Sequence, residues 1–334
     1  MDWEQQCVKL CGRILVLALI LRLASMGVFA PVGQALASRE AISLLLYLQT
    51  GRVLRFQEDL PKPPEEQEIP EETKNAGNDR KQVEFSGEEA DLIRITDRPG
   101  YEPDIERLLL EPLDWNLEGM APKVLILHTH ATECYTHGEG ESYKLSGEYR
   151  TLEEEYNMLC LGALVARRLE EAGIPVIHDR DLHDYPDYNS AYAHAASSTE
   201  EILEEYPSIE LILDLHRDAA DTAYGQMVTA CSIGSETAAQ LMFVVGTDAG
   251  GLNHPDWEEN LSVALKLYAL LERENPGICR PLLLTAQRYN QHLGNRALLV
   301  EIGAAGNTLR EAELAAEALA RAVAELQYGT VLPG

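Results

Sequence analysis

Basic residues are what this sequence is short of. Lys and Arg together number 27 against 55 Asp and Glu, a formal net charge of −28. So acidic a chain repels phosphate, which argues against a nucleic-acid partner and against tight binding to anionic lipid headgroups outside the N-terminal region. Cysteine is sparse as well. Six in 334 residues, with no CxxC pair, do not make a disulfide scaffold, and they leave the redox compartment open. No HExxH, GxSxG or Walker loop occurs, which removes the common zincin, serine-hydrolase and nucleotide-binding readings. Internal repeats are absent too. What the chain does have is an apolar content of 46%, enough for a real core.

Three regions follow from composition. Residues 1–56 hold a mostly apolar run, Ile14 to Gly33, of about the 20 residues that cross a bilayer. Arg22 interrupts it at a cost of about 2.5–3.5 kcal/mol near a helix centre, which the surrounding leucines, isoleucines and valines outweigh. Lys9 and Arg13 precede the run, and Ala35-Leu36-Ala37 resembles a small-residue cleavage site. Uncleaved anchor or removed signal peptide, the bulk of the chain is expected outside the cytoplasm; a buried core helix is the competing reading. A second apolar run, Ala41 to Leu48, is too short to span. Residues 57–120 are rich in Pro, Glu, Asp and Lys and read as a linker with short ordered pieces near 90–95 and 105–110. Residues 121–334 form the folded domain.

Within that domain, strands are expected at 124–127, 174–177, 209–215, 226–232, 241–246, 281–286 and 297–302. Helices are expected at about 152–172, 188–206, 256–274 and 308–326, the last opening on a capping pattern from Asn307 to Glu311. Alternation of buried strands with helices predicts an α/β fold, a mixed and largely parallel sheet with helices on both faces.

Chemistry gathers at strand ends. Val124-Leu125-Ile126-Leu127 runs into His128-Thr129-His130, with Glu133 three residues on. Leu211-Ile212-Leu213-Asp214-Leu215 ends in His216-Arg217, and Ala297-Leu298-Leu299-Val300 ends in Glu301. Two His-bearing strand ends and one Glu-bearing end predict a single metal site, because α/β proteins bind ligands at the carboxyl ends of their strands. A hydrolytic zinc centre takes about three nitrogen or oxygen ligands and leaves one position for water. Alternate residues of an extended chain point the same way, so both histidines of the HxH pair are expected to approach the site. Glu133 and Glu153 are both candidate carboxylates, and Glu301 is the natural proton carrier. Arg217 could contact an acidic group of a substrate or form a structural ion pair. The remaining histidines, His178 among them, carry no expectation.

Taken in order, eight segments resemble the stage II sporulation protein P family of endospore-forming bacteria. They are LHTHATECY (127–135), EYN (155–157), VIHDR (176–180), DLHRD (214–218), VGTD (245–248), NHPDWEENL (253–261), YNQHL (289–293) and EIGAAGNT (301–308). LYLQTGR (46–52) extends the likeness toward the N-terminus. The family is similar to zinc-dependent N-acetylmuramoyl-L-alanine amidases, so the resemblance implies a catalytic zinc hydrolase at 121–334. It also implies a single membrane anchor and an extracytoplasmic site between mother cell and forespore. The substrate would be peptidoglycan, cut at the N-acetylmuramic acid–L-alanine amide during engulfment, with endopeptidase activity also credited to the family. Partners would be stage II sporulation protein D, a lytic transglycosylase, and the membrane scaffold protein M.

Carried over by position, the amidase pattern wants an acid four residues before an asparagine, which favours Glu153 before Asn157 over Glu133. It favours His130 over His128, which would then lie behind the ligands or face substrate. The implied set is Zn2+ on His130, Glu153 and His216, with Glu301 moving the proton. Having both histidines and several adjacent acids departs from the pattern. The alternatives are a non-catalytic cell-wall or engulfment scaffold on the same fold, and a peptidase built on Cys134.

Overall fold

The structure is a computed structural model and describes residues 83–329 apart from 139, 223 and 224. Contacts divide the chain into Met1–Gly77 and Asn78–Gly334, and every described residue belongs to the second unit. The apolar runs expected to anchor the chain, and the linker up to residue 82, lie outside the described residues. Among the described residues no helix is long and apolar enough to cross a membrane.

Order begins well before residue 121. Helix α1 (Gly87–Leu92) opens on a capping box: Ser86 Oγ accepts the Glu89 N–H at 3.3 Å, and the Glu89 carboxylate accepts the Ser86 N–H at 2.9 Å. Strand β1 (Ile95–Asp97) and helix α2 (Ile105–Leu110), capped by Asp104, follow. Leu108 and Leu109 are fully buried, and the Leu108 carbonyl accepts from Ser262 Oγ and Lys266 Nζ. The ordered pieces expected near 90–95 and 105–110 are there, as α1, β1 and α2, and they pack into the main core. Short apolar pieces in a polar stretch found partners nearly 200 positions away, which local composition does not register.

The remaining elements are β2 (Val124–Leu127), a small ladder of β3 (Leu145–Gly147) and β4 (Arg150–Thr151), α3 (Met158–Glu171), β5 (Val176–His178) and α4 (Ala191–Glu205). Then come β6 (Leu211–Asp218), the short pair β7 (Asp221–Thr222) and β8 (Gly225–Gln226), and the hairpin β9 (Ala230–Ile233) and β10 (Glu236–Ala239). Next are β11 (Leu241–Gly246), α5 (Trp257–Glu274), β12 (Leu282–Thr285), β13 (Ala297–Ala304) and α6 (Leu309–Tyr328). Seven strands form the main sheet in the order β1-β12-β11-β13-β6-β2-β5, and only the β11–β13 pairing is antiparallel. The expected mixed, largely parallel sheet with helices is the fold.

Alternation along the strands sorts side chains onto two unequal faces. Val124, Ile126, Leu213, Leu215, Phe243 and Val300 pack under α3, α5 and α6 in the main core. Removing each such side chain from water contributes about 1.5–3 kcal/mol. The opposite face carries Leu125, Leu127, Ile212 and Ala297 beneath α4 alone. Cover thins toward the C-terminal strand ends on that face, where apolar Ile212 and Ala297 give way to Asp214, His216 and Glu301. That thinning positions the site.

Helix α6 shows how local sequence fixes an end. Thr308 Oγ1 accepts the Glu311 N–H at 3.3 Å, the Glu311 carboxylate accepts the Thr308 N–H at 2.9 Å, and Gly329 closes the helix at φ +68. Thr308→Ala should cost about 1 kcal/mol of stability, read as a lower denaturation midpoint with an unchanged denaturant slope. An unchanged midpoint would mean that tertiary packing alone sets this terminus.

Candidate functional site

Three strand ends converge. In β6 and β13, which run parallel, His216 stands beside Glu301 and Asp214 beside Leu299, so Asp214, His216 and Glu301 share a face. Beyond Glu301 the register shifts before Ala304, with Gly303 at φ +68, a bulge that ends regular pairing next to the site. From β2 the chain does not continue extended: residues 129–132 turn, closed by the Glu133 N–H on the His130 carbonyl at 3.1 Å. That turn brings His130 and Glu133 over the ends of β2 and β6. The His130 and His216 rings lie edge to face at 5.5 Å.

The turn also separates the HxH pair. His128 faces the core side and is fully buried; its Nδ1 lies 3.0 Å from the Leu215 carbonyl and its Nε2 2.9 Å from Nε2 of His178. Burial pushes His128 down to about 4 and His178 to about 3, so the pair is neutral at ordinary pH. The expectation that both histidines approach one point fails because the chain leaves strand geometry after His128.

The acids are also redistributed. Glu153 is exposed, precedes a short 3-10 turn (Glu154–Tyr156), and accepts the Lys144 N–H at 2.8 Å. Helix α3 starts only at Met158, because Asn157 caps it by accepting the Leu159 N–H. The structure does not bring Glu153 to the histidines. Glu133 it does: this buried carboxylate lies 3.7 Å from His216 Nδ1 and 3.3 Å from Arg217 Nη1. Arg217 is itself buried and spoken for, donating from Nε to the Cys134 carbonyl and from Nη2 to the Tyr149 carbonyl. It serves as a structural ion pair in the wall of the site.

Two acids that the sequence reading passed over complete the surroundings. Asp214 accepts from the Thr129 N–H at 2.8 Å and from Thr129 Oγ1 at 2.6 Å, and its Oδ1 lies 2.9 Å from His216 Nε2. The last contact is an ion pair by distance but off the N–H axis, so His216 Nε2 makes no aligned hydrogen bond. Asp184, buried, takes the Thr132 hydroxyl and lies 3.9 Å from His130 Nδ1, beyond hydrogen-bond reach. Asp214 was legible, two residues before His216 on one strand and so on its face. Asp184 belongs to a loop and sends no local signal.

Burial and crowding set the charges. Burial lowers His216, but Asp214 above all, with Glu133 and Glu301, raises it to about 10. Glu301 is raised to about 8 by burial first, with Glu133 and Asp218 adding to it. His130 is lowered to about 3 by burial and by His216. Asp214, despite its burial, is held below the usual carboxylate range by His216 and the Thr129 donors. A buried knot of carboxylates this dense calls for positive charge, which protons on His216 and Glu301 supply here.

The same atoms suit a cation. His130 Nδ1 and Glu301 Oε2 are buried without a hydrogen-bond partner, a costly state that a bound ion relieves, and His216 turns its Nδ1 toward the buried Glu133 carboxylate at 3.7 Å. Two imidazoles and a carboxylate are the donor chemistry of a zinc site. Among the described residues, no three His, Cys, Asp or Glu already stand as a finished metal cage. Donor type and burial fit a divalent ion, and binding would replace the protons.

Cys134, by contrast, is fully buried, and burial pushes its thiol up to about 11. It has neither the exposure nor the low pKa of a nucleophile. Beside the knot opens a cleft of about 230 Å3, lined among others by Glu133, Arg150, Tyr188 and Arg217. A larger cavity of about 750 Å3, between the α2 end and Lys266, holds none of the expected site residues.

Comparison with known proteins gives three findings. The family model described as Stage II sporulation protein P (SpoIIP) matches residues 38–324. Stage II sporulation protein P of Bacillus subtilis (strain 168) is 27% identical over 219 residues, 61% of this chain and 51% of that protein. The chain thus spans about half the length of that curated relative. Among solved structures, N-acetylmuramoyl-L-alanine amidase AmiC2 of Nostoc punctiforme is similar at 14% identity and a TM-score of 0.38, over 61% of this chain and 97% of that one. The CwlD amidase from Clostridioides difficile, in complex with the GerS lipoprotein, is similar at 15% and 0.33, over 62% and 95%.

Proposed function

This chain belongs to the stage II sporulation protein P family, and on that premise we propose that it is a peptidoglycan hydrolase of sporulation. The bond cut is the amide joining N-acetylmuramic acid to L-alanine. One observation carries the reading: His130, His216 and Glu301 meet at three strand ends, with His130 Nδ1 and Glu301 Oε2 buried and unpartnered and His216 set between the buried Asp214 and Glu133 carboxylates.

His130 and His216 would hold a zinc ion, with Glu133 rather than the distant Glu153 as the carboxylate. Such an ion supplies Lewis acidity toward the amide carbonyl and toward water. The chain's own residues do the rest. Asp214, fixed by Thr129, holds His216 at Nε2, which leaves Nδ1, on the Glu133 side, for the ion. Tyr188 stacks on His130 at 4.4 Å and Tyr192 meets it edge-on at 5.5 Å, which holds that ring in place. Glu301 Oε2 takes the proton of the attacking water and returns it to the departing alanine nitrogen.

The rest of the reading follows from membership. Residues 1–56 anchor the chain in the membrane, the acidic stretch that follows tethers it, and the folded unit works between mother cell and forespore during engulfment. Stage II sporulation protein D and protein M are the expected partners.

Detergent-solubilised full-length chain on purified peptidoglycan tests this. New L-alanine amino termini should appear, vanish on chelation and return on zinc re-addition. Termini from within the stem peptide would move the reading to an endopeptidase. No release from a folded, metal-loaded sample would leave a cell-wall scaffold.

A further inference from the structure

Arg150 is the unpaired cation of the site. In a chain with 55 acids to 27 bases, the other arginine that lines the cleft, Arg217, has found a carboxylate in Glu133. Arg150 lines the cleft, makes no ion pair among the described residues, and its Nε is buried with no partner. Its backbone is fixed by an antiparallel bridge to Glu133, and the next residue donates its N–H to the Thr132 carbonyl at 2.8 Å. The guanidinium lies over the Tyr188 ring at 4.1 Å, and the other side of that contact is the 4.4 Å stack of Tyr188 on His130. Guanidinium, phenol and imidazole therefore form one file running from the cleft into the metal-binding knot. Stacking occupies the face of the guanidinium and leaves the edge formed by its two Nη groups without an ion pair or hydrogen bond among the described residues, the edge with which arginine forks onto a carboxylate.

We propose that Arg150 is a specificity residue that binds a free carboxylate on the peptide side of the scissile amide. The inference rests on the function proposed above. In peptidoglycan the residue after L-alanine is a glutamate that continues the stem through its side chain, which leaves its α-carboxylate free or amidated. A peptide advances about 3.5 Å per residue, so that group lies roughly two steps from the scissile nitrogen. Arg150 stands one ring beyond His130, at a matching remove. The free carboxylate is recognised and its amide is not, because a neutral amide cannot make two charge-assisted bonds and turns its own donors toward a cation.

The test pairs two soluble disaccharide–peptide fragments, identical except for a free or an amidated α-carboxylate at the second stem residue. Full-length wild type and Arg150→Gln are compared by release of alanine amino termini. Wild type should favour the free acid by about 10-fold to 100-fold in kcat/KM, mostly through KM, the yield of a charge-assisted contact. Arg150→Gln should bring the two substrates to within about twofold, and Arg150→Lys should recover part of the preference, because ammonium cannot fork. A merely structural Arg150 would lower both rates alike and leave the ratio intact, which overturns the proposal. So would a wild type that cleaves both fragments equally. Release of no alanine termini from either fragment by wild type would instead sink the amide-cleaving function, and this inference with it.

Discussion

Glu301→Gln is expected to reduce turnover by about 10²–10⁴-fold while the protein still folds and still takes up its metal ion. The substitution keeps the shape and removes only the ability to carry a proton. Glu301 is suited to that task by its surroundings. Its Oε2 is enclosed without a partner, and burial, helped by Glu133 and Asp218, lifts the carboxyl to about 8 against the pull of His216 and Arg217. Enclosure beside the proposed metal ligands places it to take a proton from water and pass it on. Gln at 301 leaves His130, His216 and Glu133 in place, so metal content per chain should match wild type. Stability should fall little, because a buried group with an unmet acceptor is replaced by a neutral one. Metal analysis, a thermal melt and the alanine-release rate decide it together. More than about a tenth of wild-type turnover, with metal bound, would take Glu301 out of the proton path. Loss of metal alongside activity would make it a ligand instead.

The parts of this site that could be read from sequence are those whose geometry is local. Leu211 to His216 and Ala297 to Glu301 announce themselves as buried strands ending in polar residues, and strand periodicity then places Asp214, His216 and Glu301 on one face. Glu153 and Glu133 could not be told apart by such rules. Glu153 to Glu155 read as the acidic first turn of a helix, yet Asn157 takes the cap and leaves those acids outside on an exposed 3-10 turn. His128 and His130 were indistinguishable for a related reason. Alternation ranks them equal only while the chain stays extended, and the turn at residues 129–132 sends one to each side of the sheet. Arg150, Tyr188 and Asp184 lie in segments outside the main sheet, separated along the chain, and meet only through tertiary packing. No window of sequence contains their relationship. The packing of the segment before residue 121 is hidden for the same reason, since Leu108 meets Ser262 and Lys266 far along the chain.

Gly162→Ala is expected to destabilise the domain by about 1–3 kcal/mol, although the exchange ordinarily favours a helix by about 1 kcal/mol. The reason lies in the histidine pair that the site did not use. A Cβ at position 162, in the middle of α3, would stand 2.3 Å from Nε2 of His128 and 2.4 Å from Nε2 of His178. Neither distance is tolerable, so both rings have to shift, His178 the further. His128 has little freedom: it is fully buried and held at both nitrogens, by the Leu215 carbonyl and by His178. His178, half-buried at the sheet edge on β5, is the ring that would yield, breaking the contact between the two imidazoles and leaving a buried nitrogen unmet. For a domain of this size 1 kcal/mol corresponds to about 2–4 °C in Tm, so the fall should be plain in a melt. His178→Ala supplies the control, because it removes one of the two clashes and gives the His128 ring room to swing away from the new methyl group. Combined with Gly162→Ala it should cost less than the two single changes added together, a coupling that neighbours sharing one cavity show. Strict additivity, or a Gly162→Ala variant as stable as wild type, would mean that α3 shifts as a body and that the close approach of glycine to the two rings has no energetic weight. The activity of Gly162→Ala carries separate information. The Leu215 carbonyl that holds His128 immediately precedes His216, so a displaced His128 would be felt one residue from the proposed metal ligand, and turnover should fall further than the loss of folded protein alone explains.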